Sequence, residues 1–260
     1  GIPAEFTNEG IHGLNHSRAT PLPAPIAIGS TWNRALVRRA GEIAGLEARV
    51  LGYRNVYAPI LDVARDPRWG RGHETYGEDP VLTAVCGEAF VRGVQEGEDG
   101  DYLLAAACLK HFAVHSGPEA TRHGFDSTVS DFDLYDTYLP AFEWCVRRAD
   151  VAGVMGAYNM INGIPSCASP LIEEVLRGQW GLEGYVVSDC GALQDMHNAC
   201  KYTHNALESA AAALKAGCDI NCGEVYRSIM EAYDADLIGD EELDAAAVHA
   251  MTTRMELGLF

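Results

Sequence analysis

Short apolar, largely β-branched runs alternate along this chain with longer stretches in which apolar positions recur at helical spacing. The short runs predict strands over residues 25–29, 56–61, 105–110, 153–158, 185–189 and 218–221. Between them, residues 33–52, 80–93, 134–149, 170–180 and 205–216 predict helices, and 240–257 reads as a closing amphipathic helix with Asp240 as its candidate cap. Asp79 and Ser169 stand as N-caps directly before Pro80 and Pro170, where proline suits the first helical turn. Strand followed by helix, repeated, is the pattern of βα units and a parallel sheet. At 260 residues the expectation is an α/β fold, a (β/α)8 TIM-type barrel with room for irregularity at its N-terminus. No internal repeat or Pro/Ser-rich linker divides residues 1–260, so they read as a single domain.

In a parallel barrel, side chains ending the strands share one mouth. The polar residues at predicted strand ends are Asp62, Arg65 and Asp66 after one, Lys110 and His111 on a second, Tyr158 and Asn159 on a third, and Ser188 and Asp189 on a fourth. In YVVSDCGA, Asp189 follows an apolar run and precedes a glycine, which fits a carboxylate aimed into the mouth and equally fits a helix N-cap. Lys110 and His111 suit hydroxyl-rich ligands or the neutralisation of a nearby carboxylate, although His111 also fits a satisfied core histidine. The segment RDPRWGRGHETYGEDP packs arginines and acids around Trp69 and Gly70, as an ordered loop does whether its role is binding or structural. In GAYNMINGIP, Tyr158 fits either the mouth or a packed aromatic with a bonded hydroxyl.

Charge narrows the partners. Nineteen basic against 37 acidic residues give a net charge of −18, which repels phosphate backbones and anionic lipid headgroups but leaves a neutral ligand such as a sugar open. No stretch approaches the roughly 18 consecutive apolar residues of a membrane span, and GIPAEFTNEG lacks the features of a signal peptide, so no membrane partner is expected. The eight cysteines, at 86, 108, 145, 167, 190, 200, 218 and 222, form no CxxC pairs and are expected as free thiols in a reducing cytoplasm. No GxGxxG, Walker, HExxH or EF-hand spacing occurs, so neither cofactor nor metal is expected.

The stretches NEGIHG, RDPRWGRGHETYGEDP, CLKHFAVHSGPE, GAYNMINGIPSCA, VVSDCGA and AALKAGCDINCG run in order along nearly the whole chain. With them the chain resembles glycoside hydrolase family 3, in wording closest to its bacterial β-xylosidase and β-glucosidase branch. The resemblance implies a retaining exo-acting β-glycosidase for terminal β-D-glucosyl or β-D-xylosyl residues of an oligosaccharide or glycoside, with Asp189 as the nucleophile forming a covalent intermediate. It further implies that Lys110 and His111 bind sugar hydroxyls, that Glu9 grips the far side of the ring, and that Arg71, Arg122 and Tyr158 complete the shell. In that branch the acid/base glutamate is carried by a following α/β-sandwich domain, which is expected to lie outside these residues. Glu119 and His123 are the in-chain candidates for the acid, and a homo-oligomer stands beside the following domain as an expected partner. Two other readings stand beside this one: a sugar-binding barrel without its acid/base, and a Schiff-base aldolase using Lys110.

Overall fold

A computed structural model describes residues 1–97 and 100–260. In chain order the elements are β1 (Thr7–Glu9), α1 (Pro25–Gly29), α2 (Arg34–Leu51), β2 (Asn55–Tyr57), α3 (Pro80–Gln95), β3 (Ala106–Phe112), β4 (Asp126–Ser127) and α4 (Asp131–Asp133). There follow α5 (Pro140–Ala149), β5 (Gly153–Gly156), β6 (Met160–Ile161), β7 (Ile164–Pro165), β8 (Tyr185–Ser188), α6 (Ala192–Asn198), α7 (Ala206–Lys215), α8 (Ile229–Asp234) and α9 (Asp240–Glu256). Five strands form one parallel sheet in the order β1-β2-β3-β5-β8, and a bridge between Val187 and Ile220 extends it by one position. The order never reverses, so the sheet winds in one direction, as a (β/α) barrel does and a dinucleotide-binding sheet does not. Among the described residues the ladder stops at those five strands and the bridge, without closing onto β1. β4, β6 and β7 form a separate small sheet beside it.

The register explains which residues reach the inside. Thr7 pairs with Asn55 and Glu9 with Tyr57, Asn55 pairs with Ala106, Cys108 with Gly153, and Gly153 with Tyr185. Side chains alternate along a strand, so Glu9, Tyr57, Cys108, Lys110, Met155, Tyr185, Val187 and Asp189 share one face. Cys108, Met155, Tyr185 and Val187 pack together there with Tyr57, Ile220 and Cys222, and the Asn55 amide donates to the Tyr185 hydroxyl. The opposite parity, Val56, Ala107, Leu109, Val154 and Val186, joins the main apolar core under α2, α3 and α5.

The predicted helices appear with small shifts at their ends. The Asp79 carboxylate accepts the Leu82 N–H at 2.6 Å, the Asn33 side chain caps α2 through Leu36, and Ser169 Oγ accepts the Leu171 N–H at 3.3 Å. The 134–149 and 170–180 stretches are partly π-helical, over Leu134–Tyr138 and Ile172–Gln179. Three expectations are corrected. Residues 25–29 form α1 and not a strand, because Pro25 lacks the N–H a central strand needs and sits well in a first helical turn. The first strand is instead the short polar β1, which carries no apolar run to betray it. Asp240 is the first helical residue of α9: the Gly239 N–H is held by the Glu242 carboxylate at 2.9 Å, and Asp240 accepts from the Tyr233 hydroxyl.

The α2–α3 contact is set by backbone approach. A Cβ built on Gly45 would stand 2.4 Å from the Val94 carbonyl oxygen, closer than any real contact. Gly45→Val is therefore expected to cost about 1–3 kcal/mol by overpacking, lowering Tm by about 2–4 °C per kcal/mol. A thermal melt of Gly45→Val coinciding with that of the parent would contradict this account of the contact.

Candidate active site

The carboxyl ends of β1, β2, β3, β5 and β8 converge on one cluster. Asp189 extends β8 by one residue, its N–H bonded to the Gly156 carbonyl at 2.9 Å, and is 8% exposed. Its Oδ1 accepts the N–H of Cys190 at 2.7 Å; its Oδ2 is buried without a hydrogen-bond partner and stands 3.5 Å from His111 Nε2. The helix-cap alternative fails here, since Gly191 is the N-cap residue of α6 and has no side chain to offer. Burial pushes the Asp189 carboxyl above its ordinary pKa, while Lys110, the Cys190 N–H and Arg71 pull it back.

Lys110 is 2% exposed and places Nζ 2.6 Å from Glu9 Oε2, with the ring of Tyr57 5.9 Å away. His111 is fixed by Asp62, whose Oδ2 takes both the backbone N–H of His111, at 3.0 Å, and its ring Nδ1, at 2.8 Å. Arg71 Nη1 lies 3.1 Å from His111 Nε2. An arginine can only donate, so Nε2 is the acceptor, Nδ1 carries the proton, and the imidazole is neutral. Burial, with the neighbouring His115 and Arg71, lowers the His111 pKa well below its ordinary value, in agreement with that tautomer. Arg71 is braced by Glu74 through Nε at 2.8 Å and Nη2 at 2.6 Å.

Tyr158 donates its hydroxyl to the Cys190 carbonyl at 2.9 Å, and burial beside the Asp189 charge raises its pKa. Arg122 lies 6.0 Å from the Tyr158 ring and pairs with Glu119 at 3.0 Å. Among the acid candidates, Glu119 is held by that pair, and His123 bonds Asp195 through Nδ1 at 2.8 Å with its ring against Tyr158. Thus Asp189, Lys110, His111, Glu9, Arg71, Arg122 and Tyr158 lie in one connected cluster. Arg65 and Asp66 stay at the rim, with Asp66 binding Arg68.

Sequence reasoning gave no role to Asp62, Trp69, His115 or Asn159, all buried in this cluster. Asn159 Oδ1 is 2.9 Å from His115 Nδ1, while His115 Nε2 and Trp69 Nε1 are buried without partners. Asp62 was visible as a polar strand end; His115 could have been found four residues after His111 in KHFAVHS. The expectation of free thiols holds for six cysteines and fails for one pair, since Cys190 and Cys222 form a disulfide with a Cα–Cα distance of 4.4 Å. They are 32 residues apart in sequence, and the Val187–Ile220 bridge together with the hydrogen bonds around Ser188 and Cys222 brings their segments side by side. Away from the cluster, a cleft of about 530 Å³ opens at the opposite end of the sheet, where Leu103, Ala152 and Gly184 precede their strands, and none of the site residues lines it.

A singly wound parallel sheet with an inward carboxylate at a strand end, flanked by cations and a neutral imidazole, is an α/β architecture with a polar site at the carboxyl ends of its strands. The family model for the glycosyl hydrolase family 3 N-terminal domain matches residues 1–256, and the chain belongs to that family. It is 39% identical over 271 residues to a xylan 1,4-beta-xylosidase of Xylanibacter ruminicola, covering 96% of this chain and 32% of that protein. It is also 39% identical to exo-1,4-beta-xylosidase bxlB of Emericella nidulans, over all of this chain and 37% of the relative. Among solved structures, a GH3 exo-beta-xylosidase (XlnD) superposes with a TM-score of 0.93 at 31% identity, over 98% of this chain and 36% of that one. A beta-glucosidase from Listeria innocua does so at 0.90 and 33%, over all of this chain and 36% of that one. The chain thus spans about a third of the length of the relatives it matches.

Burial pushes the Asp62 carboxyl from 3.8 up to about 8, against the opposing pull of the His111 N–H and Arg71. A folded-state pKa raised in this way contributes stability that is present below the unfolded value and lost as pH rises through the folded one. Between about pH 4 and about pH 8 the Tm of the parent should therefore fall relative to that of Asp62→Asn, which has no such proton to lose, and the difference should level off above that. Melting curves whose difference stays flat across that range would refute the raised carboxyl.

Proposed function

We propose that this chain is the catalytic barrel of a retaining, exo-acting β-glycosidase that removes terminal non-reducing β-D-xylosyl or β-D-glucosyl residues through a covalent intermediate on Asp189. The observation that carries the reading is Asp189 Oδ2, a buried carboxylate oxygen at a strand end with no hydrogen-bond partner. Burying such an atom unpaired is costly unless it meets a positive or electrophilic centre during function. An anomeric carbon with oxocarbenium character is such a centre.

In this reading Oδ2 forms a bond to the anomeric carbon as the bond to the leaving oxygen breaks, and water later releases the sugar with the same configuration. Lys110 keeps donors beyond the one given to Glu9, and Arg122 Nε is buried and unpaired, so both are assigned to sugar hydroxyls. Arg71 and neutral His111 hold the pocket wall, Glu9 accepts from the ring's far hydroxyls, and Tyr158 keeps its hydroxyl beside the nucleophile. The relatives are about three times as long, and we assign the acid/base to a following α/β-sandwich domain of the polypeptide that carries this chain. The named relatives include both xylosidases and a glucosidase; the first two favour xylose.

On the intact gene product, Asp189→Asn should reduce kcat on aryl β-xylosides and β-glucosides by at least about 10⁴-fold. Because the Asp189 pKa is raised and the nucleophile must be ionised, the acid limb of kcat/KM should lie above the ordinary aspartate value of about 3.9. A 2-deoxy-2-fluoro-glycosyl fluoride should label Asp189, identifiable by peptide mass. Monosaccharide binding by calorimetry without turnover or labelling would instead support a sugar-binding barrel.

A further inference from the structure

The Cys190–Cys222 disulfide closes a ring of contacts around the nucleophile's own backbone. Cys190 directly follows Asp189, and its peptide is held from three sides. Its N–H donates to Asp189 Oδ1 at 2.7 Å, its carbonyl accepts the Tyr158 hydroxyl at 2.9 Å, and its sulfur is bonded to Cys222. The Cys222 segment is tied to the same strand end. Ser188 Oγ accepts the Cys222 N–H at 3.1 Å and the Asn221 amide at 3.0 Å, and the Gly191 N–H donates to the Cys222 carbonyl at 2.8 Å.

Each cysteine is followed by a glycine at positive φ, Gly191 at 88° and Gly223 at 145°. Glycine at both positions gives these turns little steric restraint of their own, so the covalent link adds to the hydrogen bonds in limiting their freedom to shift against each other. Cys190 is exposed and Cys222 half-buried, so a small reductant can reach the bond. The other six thiols are unpaired, five of them buried.

We propose that the Cys190–Cys222 disulfide is a positioning element for the nucleophile, holding the Cys190 amide on Asp189 Oδ1 so that Oδ2 keeps its attacking orientation, and that reduction of the bond slows catalysis reversibly. The proposal rests on Asp189 being the nucleophile. Reduction takes two electrons from an external reductant and leaves two cysteine thiols: two thiols supply the protons and become a disulfide, whereas a phosphine becomes its oxide with water supplying both protons and the oxygen. The freed turn relaxes, the amide donor moves off Oδ1, and the carboxylate loses both its aim and part of the stabilisation of its charge.

The test uses the intact gene product in three forms: oxidised, reduced in a phosphine reductant, and as Cys222→Ser, which breaks the bond without altering the residue beside the nucleophile. Kinetics on an aryl β-xyloside and the rate of labelling by the 2-fluoro sugar are measured on each form, with circular dichroism to confirm folding. Reduction and Cys222→Ser should each lower kcat and the labelling rate by about 10- to 100-fold with KM little changed. The acid limb should move to higher pH, and reoxidation should restore the parent but not the variant. A merely structural staple would lower Tm and leave kcat and the acid limb in place, and that result overturns the proposal. Peptide mapping that finds Cys190 and Cys222 as free thiols in the native protein overturns it as well. If the oxidised parent neither turns over nor labels, the nucleophile assignment itself falls, and this inference with it.

Discussion

A charge withdrawn from water is the constraint around which this site is built. Moving a carboxylate into a low-dielectric interior costs several kcal/mol after relaxation, and a buried Asp189 must recover that from fixed partners. The signs alternate outward from it. Lys110 and Arg71 act as its cations, Lys110 is balanced by Glu9 on β1, two strands away, and Arg71 is balanced by Glu74. Strand parity makes the inner part of this possible, because Glu9, Lys110 and Asp189 occupy the same face of alternate strands, β1, β3 and β8, of the parallel sheet.

His111 sits inside this lattice of charge without adding to it. Asp62 receives two hydrogen bonds on one oxygen and thereby fixes the ring's proton on Nδ1, and Arg71 occupies the other nitrogen. A charged imidazole there would pair with Asp189 at 3.5 Å and draw off the nucleophile's charge. His115, whose pKa burial lowers to about 4, packs against it as a second neutral ring. The two rings thus add polar, uncharged surface beside the charged side chains of Arg71 and Lys110.

Much of this was legible in the sequence, because two periodicities do different jobs. Helical spacing and caps such as Asp79 located the long helices to within a few residues. The apolar runs ending in Lys110, Tyr158 and Asp189 located the mouth, since β-branched residues mark buried strands and their last polar residues must emerge at one end. What stayed hidden depends on contacts far apart in sequence. β1 is three polar residues whose strand character comes from pairing with β2, and the Cys190–Cys222 bond depends on a bridge between segments that no local pattern connects. Asp62 was seen at a strand end, but its task is defined by a histidine 49 positions away. Residues 25–29 misled because PIAIG reads as a strand by composition, while the proline's missing N–H decides against it.

The unpaired polar atoms separate stability from function. Among the described residues, buried side-chain atoms without partners occur on Arg54, Asn55, Thr83 and Arg177, and on Trp69, His115, Arg122 and Asp189. The last four belong to the mouth of the sheet. Each unpaired buried group costs about 1–3 kcal/mol, so their concentration at one end is a sizeable charge against a fold of ordinary stability. The opposite end of the sheet carries a cleft as well, yet its lining residues contribute none of these atoms. A fold selected only for stability would have paired or replaced a donor on Trp69, an imidazole nitrogen on His115, a guanidinium nitrogen on Arg122 and a carboxylate oxygen on Asp189. That these four face one another's neighbourhood, with donors and acceptors both represented, is the arrangement expected where a ligand's hydroxyl groups complete the hydrogen bonding that the protein leaves open.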